Sequence, residues 1–397
     1  MKIKNIIVTP VNLRENYIYV WSPGVNEGFS RCIVQVETNE GITGLGETLS
    51  VDQGKMIEAM APTLIGLNPL DIAEADLRLM PEWKTASITR SGAAQSAFGA
   101  LDMAMWDIKA KALGIPLYML FGGAYRKEIK FAEYFSFNAT KQVNGEFKRD
   151  KTIDQVVEYC LKMKEEHGSY IFEGKVGNTD NYWNDINLVK KLRKALGQEA
   201  TIRLDANYGY SLPTALTVLK HIEECDVRNI EDPVVLFEHM AELKKWTRTS
   251  ISTHDHDLRR AITVGGPDNF CIHPVSMGGM MNTIRFIGAC EEFGKGVWFY
   301  SGDSGVATAL YMHFTAAFQH LSEPSQSLLR WLDNDVIEGG PFRPEKNVVM
   351  VPEKPGLGVT IDKEALAFAH KDFVENGPIS YDYNFADKEH FIRLPLY

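Results

Sequence analysis

Cysteine is scarce and unpatterned in this chain. The five present, at positions 32, 160, 225, 271 and 290 of 397 residues, form no Cys-x-x-Cys pair and are odd in number. That excludes a disulfide framework and fits reduced, mostly buried thiols in a cytoplasm. No stretch approaches about 18 uninterrupted apolar residues, so no membrane span is expected. Met1-Lys-Ile-Lys-Asn opens straight into a strand-like run, with no signal-peptide core. Positive charge is in deficit: 42 Lys and Arg face 52 Asp and Glu, a formal net charge of -10. Nucleic acid and anionic membranes are therefore poor partners. An anionic small substrate stays open, because a bound metal and local Lys or Arg reverse the sign locally. Also missing are low-complexity linkers and short-period repeats.

What is present is a set of short apolar runs with polar ends. Thr201-Ile-Arg-Leu-Asp-Ala-Asn ends in Asp205 and Asn207. Val227-Arg-Asn-Ile-Glu-Asp-Pro ends in Glu231 and Asp232, and Ser250-Ile-Ser-Thr-His-Asp ends in His254 and Asp255. Residues two apart in a strand point to the same side, so Asp205 and Asn207 leave their strand together. One such run is explained by an ordinary helix cap. Three in succession, each delivering a hard ligand at a strand end, is how a barrel builds a divalent-metal site.

The pattern around them changes along the chain. Ile3 to Leu13, Tyr17 to Trp21 and Arg31 to Thr38 read as strands, with a hairpin at Asn39-Glu-Gly. The alternating glycines of Gly41-Ile-Thr-Gly-Leu-Gly-Glu open no helix at the right place, so strand packing explains them better than a dinucleotide fingerprint. From Val51 to Leu120 the period turns helical. It is clearest over Ala93 to Leu113, where Ala97, Leu101, Ala104, Met105, Ile108 and Ala112 form one stripe. Gly114-Ile-Pro stops that helix. After Lys130, strand-like runs alternate with helices, the signature of parallel βα units. Strand ends are expected at Tyr134–Ser136, Lys175, Asp205, Glu231, His254, His273 and Tyr300. An eighth strand is expected near Leu328 to Leu332. The tail from Phe342 to Tyr397, with Pro355-Gly-Leu-Gly, reads as loops returning over the first domain.

Taken together these segments resemble the enolase superfamily. Ala100-Leu-Asp-Met-Ala-Met-Trp-Asp through Leu117-Tyr looks like its capping-domain helix. Gly174-Lys-Val-Gly, Leu204-Asp-Ala-Asn and Ile230-Glu-Asp-Pro look like the ends of its second, third and fourth barrel strands. Val275-Ser-Met-Gly-Gly-Met looks like the turn after the sixth, and Pro355-Gly-Leu-Gly like the closing loop. The resemblance implies an α/β fold: a (β/α)7β modified TIM barrel under an α+β capping domain formed by both termini. The expected division is 1–127 for the cap, 128–340 for the barrel and 341–397 for the returning segment. It implies removal of the proton α to a carboxylate with help from Mg2+, Mn2+ being possible, and a homo-oligomer is expected.

Carried over position by position, Asp205 and Glu231 match the first two metal ligands, and His254 falls on the third. A similar His occurs in the branch of galactarate dehydratases that forms the D-threo product. Imidazole suits Mn2+ or Fe2+ better than Mg2+, and the alternative is that Asp255 binds the metal while His254 caps the barrel mouth. Lys175 lies on the position of the base, and a nearby dication favours a neutral amine. Glu173 points to the same side and is expected to meet a substrate hydroxyl or a second cation, unless it forms a simple Glu–Lys surface pair. The superfamily's usual His–Asp pair is not visible: His273 stands where the family has Asp, and the seventh strand ends in Tyr300-Ser-Gly-Asp303. His273 is read as an acid or as a core histidine. Asn207, Arg90 and Asp303 complete the expected substrate contacts, Arg90 as partner of a distal carboxylate.

The reading is an acid-sugar dehydratase acting on galactarate or another aldonate or aldarate. One rival is an epimerase or cycloisomerase using Lys175 and His273. The other is a barrel that binds sugar acids without turnover.

Overall fold

The computed structural model describes residues 1–79, 92–143, 147–149, 152–300 and 302–379. Arg90, expected to bind a distal carboxylate, lies outside them. The chain opens with an antiparallel sheet of β1 (Ile3–Trp21), β2 (Gly24–Thr38) and β3 (Thr43–Glu47) in that order. Gly24 to Ser30, rich in Gly and Asn, did not look like a strand. It is one, because β1 and β2 form a single long hairpin, in register from Asn5↔Glu37 to Arg14↔Gly28 and resuming at Tyr19↔Asn26 after a bulge. Cross-strand pairing overrides weak local propensity here.

Helices α1 (Val51–Leu64), α2 (Ile72–Leu79) and α3 (Ala93–Leu113) follow. Helix α3 ends where Gly114 adopts φ 68°, a left-handed cap that costs glycine nothing. It lies directly on β3: a methyl group on Gly44 or Gly46 would run into the carbonyl oxygens of Ala104 and Ala100. The alternating glycines are therefore a helix-docking surface.

The rest is a ring of βα units. Strand β4 (Glu128–Lys130) leads in, and β5 (Glu133–Phe135) is the first barrel strand. A small ribbon of β6 (Ala139–Lys141) and β7 (Phe147–Arg149) precedes α4 (Ile153–His167). Then come β8 (Ile171–Lys175), α5 (Tyr182–Leu196), β9 (Thr201–Asp205), α6 (Leu212–Ile222) and β10 (Asn229–Glu231). They continue with α7 (Phe237–Leu243), β11 (Ser250–Thr253), α8 (Leu258–Val264), β12 (Asn269–Ile272), α9 (Met280–Glu292), β13 (Gly296–Phe299) and α10 (Gly305–Ala317). The parallel sheet runs β13-β12-β11-β10-β9-β8-β5. Its two edges meet through Ser325 and Gln326: Ala132 N donates to Ser325 O at 2.9 Å, and Gln326 N to Phe299 O at 2.9 Å. The closing segment therefore precedes the expected Leu328–Leu332, which instead turns beneath β1.

The returning tail is not all loop. Strand β14 (Val348–Met350) pairs with β4, and α11 (Lys363–Asn376) packs on β1. There Arg14 grips Asp372 with two bonds of 2.9 and 3.1 Å. Cap and barrel interlock through buried polar contacts. Glu47 accepts from Ser304 N at 2.8 Å and Ala307 N at 3.0 Å, capping α10 from outside the barrel. Asp102 of α3 accepts from Met280 N at 2.6 Å, capping α9. No helix among the described residues is long and apolar enough to cross a membrane.

Candidate active site

Every barrel strand delivers its last residues to one end, so the strand ends converge on the mouth beneath the cap. Asp205 and Glu231 stand opposite each other in register on β9 and β10, and Lys175 is in register with Asp205 from β8.

Glu231, Asp232 and His254 offer ligand atoms within 4.8 Å of one another. The arrangement has a direction. Asp232, held at φ 43°, brings its carboxylate to His254 Nδ1. That leaves His254 Nε2 facing Glu231 Oε1 at 3.1 Å. Gln326 donates to the other oxygen, Glu231 Oε2, at 2.8 Å, while Oε1 is buried without a hydrogen-bond partner. One carboxylate oxygen and one imidazole nitrogen thus point together into the same space, each fixed from behind. A carboxylate behind a histidine is the usual outer support of a metal ligand. Burial pushes the Glu231 carboxyl well above its ordinary range, although His254 lowers it. Burial disfavours the charged imidazole, but Glu231 and Asp232 still lift His254 to about 10. A site that raises both groups is short of positive charge, and a divalent cation suits it.

Asp205 adjoins this cluster but lies outside it. Its Oδ2 accepts from Lys175 Nζ at 2.5 Å and Tyr134 Oη at 3.2 Å, and its Oδ1 from Asn207 N at 3.0 Å. Asn207, at φ 41°, keeps its side-chain oxygen buried and without a partner. Asp255 is not among the residues whose ligand atoms converge, and its Oδ1 accepts from Asp257 N at 3.3 Å.

Lys175 is enclosed by aromatic rings. Its Nζ lies 5.7 Å from the Trp21 ring of β1 and 5.4 Å from that of Tyr134. Tyr134 itself stands edge-on to Trp331 at 5.7 Å. Neither Trp21 nor Tyr134 stood out as a site residue in the sequence. Both come from strand ends, but nothing in their local sequence marks them.

Glu173 and Asp303 are placed differently from expectation, and His273 takes the second of its two readings, a core histidine. Glu173 is fully buried one layer below Lys175. It is bonded to Arg203 and accepts from Gln326 Nε2 at 2.9 Å, so it has no free oxygen aimed at a substrate and is no surface pair. Asp303 is bonded to Arg31 of β2 at 3.0 Å, to His273 at 3.2 Å and to Tyr311 Oη at 2.5 Å. His273 uses Nε2 for Asp303 and accepts from Val275 N at Nδ1, 3.1 Å away, so neither ring nitrogen is free. The His–Asp pair does exist, with its members exchanged between the sixth and seventh strands. Against the cost of burial, His273 and Arg31 hold Asp303 below the usual carboxylate range.

Comparisons with known proteins agree with this layout. Residues 7–122 match the mandelate racemase / muconate lactonizing enzyme N-terminal domain, and residues 155–365 match the enolase C-terminal domain-like family. A probable glucarate dehydratase from Streptomyces coelicolor is 28% identical over 384 residues, covering 89% of this chain and 88% of that protein. A chloromuconate cycloisomerase from Delftia acidovorans is 28% identical over 357 residues, covering 84% and 90%. A solved structure of an enolase from Pseudomonas fluorescens, with bound magnesium, potassium and tartrate, is 26% identical. It superposes with a TM-score of 0.85 over 95% of this chain and 93% of that one.

Proposed function

The chain belongs to the mandelate racemase / muconate lactonizing enzyme family of the enolase superfamily and is an enzyme, and from that premise we propose that it dehydrates a sugar acid. The observation that carries this reading is the asymmetry of the mouth. Lys175 stands at one wall with its amine bonded to Asp205, while His273 has both ring nitrogens engaged. Epimerisation by two bases needs a free group on each face of the α-carbon. Elimination needs one base, and the rest is departure of a β-hydroxide.

The residues fit a divalent cation such as Mg2+, with Glu231 Oε1, His254 Nε2 and Asp205 as holders. Such an ion would supply Lewis-acid stabilisation of the charge that develops on the substrate carboxylate. The chain's own part is positional. Asp205 and Tyr134 fix the Lys175 amine, Trp21 and Tyr134 screen it from water, and Gln326 and Asp232 hold the ligand atoms in place. Among possible acids, galactarate leads, from the resemblance of the His254 segment to the D-threo-forming branch. The glucarate dehydratase name of a relative supports the same substrate class.

The test is a panel of five- and six-carbon mono- and diacid sugars with Mg2+ or Mn2+, assayed for 2-keto product. Formation of that product from one or a few acids is expected. α-Proton exchange in deuterated water with no keto product, but with inverted stereochemistry, would replace this reading with an epimerase.

A further inference from the structure

The layer of the barrel below the site repeats it with the signs exchanged. Strand β8 carries Glu173 two residues before Lys175, and β9 carries Arg203 two residues before Asp205. Within each strand the two side chains therefore point to the same side. The register sets Lys175 beside Asp205 and Glu173 beside Arg203. An ion pair at the mouth thus sits on a second ion pair of opposite polarity, and both members of the lower one are 0% exposed.

Arg203 reaches beyond Glu173. Its guanidinium crosses the interior from the third strand to the seventh, where it lies 4.9 Å from the centre of the Trp298 ring of β13. Its Nη1 donates to Pro324 O at 2.7 Å, in the segment that closes the barrel. Two residues on, Gln326 Nε2 donates to Glu173 Oε1 at 2.9 Å and to Glu231 Oε2 at 2.8 Å. An amide nitrogen carries two hydrogens, and both are spent on carboxylates here. Turning the amide over would set its oxygen against them. The oxygen left over, Glu231 Oε1, faces His254 Nε2 at 3.1 Å. This chain of bonds holds only while Glu173 stays charged in a dry interior, and a buried carboxylate is costly without a cation. Among the described residues Arg203 is the cation bonded to it. Stripped of that partner, Glu173 would repel Glu231 rather than share a donor with it.

We propose that Arg203 is a positioning residue for the metal site. By neutralising Glu173 and holding Pro324 it fixes the Gln326 amide, and through that amide the ligand oxygen of Glu231. This rests on the reading of Glu231 as a holder of a divalent cation, and not on which acid is dehydrated. The bonds of Arg203 go to Glu173 and Pro324 and not to Asp205, Glu231 or His254, so its effect falls on metal affinity.

The experiment is calorimetric titration of chelator-treated protein with Mg2+ and with Mn2+. It compares the parent, Arg203→Met, and a double variant that joins Arg203→Met to Glu173→Gln. Arg203→Met should bind either ion at least about 10-fold more weakly, the usual scale for losing a support behind a metal ligand. Adding Glu173→Gln removes the stranded charge and keeps an oxygen for the Gln326 amide. Affinity should then return to within about threefold of the parent, because a buried ion pair can be replaced by neutral groups at little cost. Arg203→Met binding as tightly as the parent overturns the proposal. So does a double variant as weak as the single one, which is what a residue that merely fills the barrel would give. Should Arg203→Met fail to fold, the double variant decides alone: affinity near the parent's supports the proposal, and a loss of about 10-fold or more overturns it. A parent that binds neither ion overturns the metal reading and the proposal together, whereas variants that match a binding parent overturn the proposal alone.

Discussion

At the scale of single residues, each candidate group is defined by what holds it from behind. Lys175 is the clearest case. Replacing it with Met removes the base but also removes a positive charge beside the cation site. Calorimetric titration should then show metal affinity retained or tightened, with kcat at least about 100-fold lower. Turnover near the parent rate would move the base elsewhere. Gln326 is the second case, because its amide bridges Glu173 and Glu231 at 2.9 and 2.8 Å. Gln326→Leu leaves two buried carboxylates facing each other without a donor between them. Metal affinity should drop by roughly 10- to 100-fold, and an unchanged affinity would show that Glu231 is held without it. His254→Ala should likewise weaken metal binding more than Asp255→Ala, whose carboxylate faces Asp257 N. The reverse order would assign the third ligand to Asp255.

At the scale of elements, the decisive contact is α3 on β3. Small residues on both sides bring helix and strand into backbone contact, and the glycines at 44 and 46 leave no room for a side chain. Gly46→Ala must push α3 away from the sheet, and overpacking of this kind costs about 1–3 kcal/mol. Chemical denaturation should show that loss. Since Gly99 of the same helix packs against Val275 O after the sixth strand, the shift should reach the barrel mouth and raise KM as well. A Gly46→Ala chain as stable as the parent would mean the helix can slide freely. The β1–β2 hairpin brings the Trp21 ring to 5.7 Å from the Lys175 amine.

At the scale of the whole molecule, carboxyl groups kept from water between cap and barrel, as Asp102 is, and within the barrel, as Asp185 and Asp335 are, make stability depend on pH. Burial pushes Asp102 up to about 7, Asp185 to about 7 and Asp335 to about 6. Their folded values lie above the ordinary 3.8, so the folded chain keeps protons that the unfolded chain has already released. Their contribution is complete below about 4 and is lost as pH rises through about 7. His313 acts oppositely, because burial pulls it down to about 4 from an ordinary 6.5, so it destabilises as pH falls below that ordinary value. Above 6.5 the carboxyls are joined by His254, lifted to about 10, whose contribution is also lost as pH rises. The metal-free chain should therefore melt several degrees lower at pH 8 than at pH 6.5, and Asp102→Asn should flatten part of that fall. A melting temperature constant or rising across this interval would contradict the assignment.

The sequence by itself determined the rhythm of the chain and the places where strands end. Those follow from local rules: a period of two in strands, longer helices between them, and polar residues just past apolar runs. Lys175, Asp205 and Glu231 could be placed at strand ends on that basis, and His254 just past one. Local rules carry no information about partners far away in the chain, and here the partners decide which side chains stay free. Glu173 is taken by Gln326, 153 residues later, and Asp303 by Arg31, 272 residues earlier. The same long-range closure joins Gln326 to Phe299, hides α11 in what read as a loop tail, and draws Gly24 to Ser30 into a strand. Only folding brings these groups within hydrogen-bonding distance, and a carboxylate engaged there no longer has an oxygen to offer a substrate. Glu15 is the converse case: nothing in its local sequence marks it, and only the closed fold buries both carboxyl oxygens without a hydrogen-bond partner among the described residues.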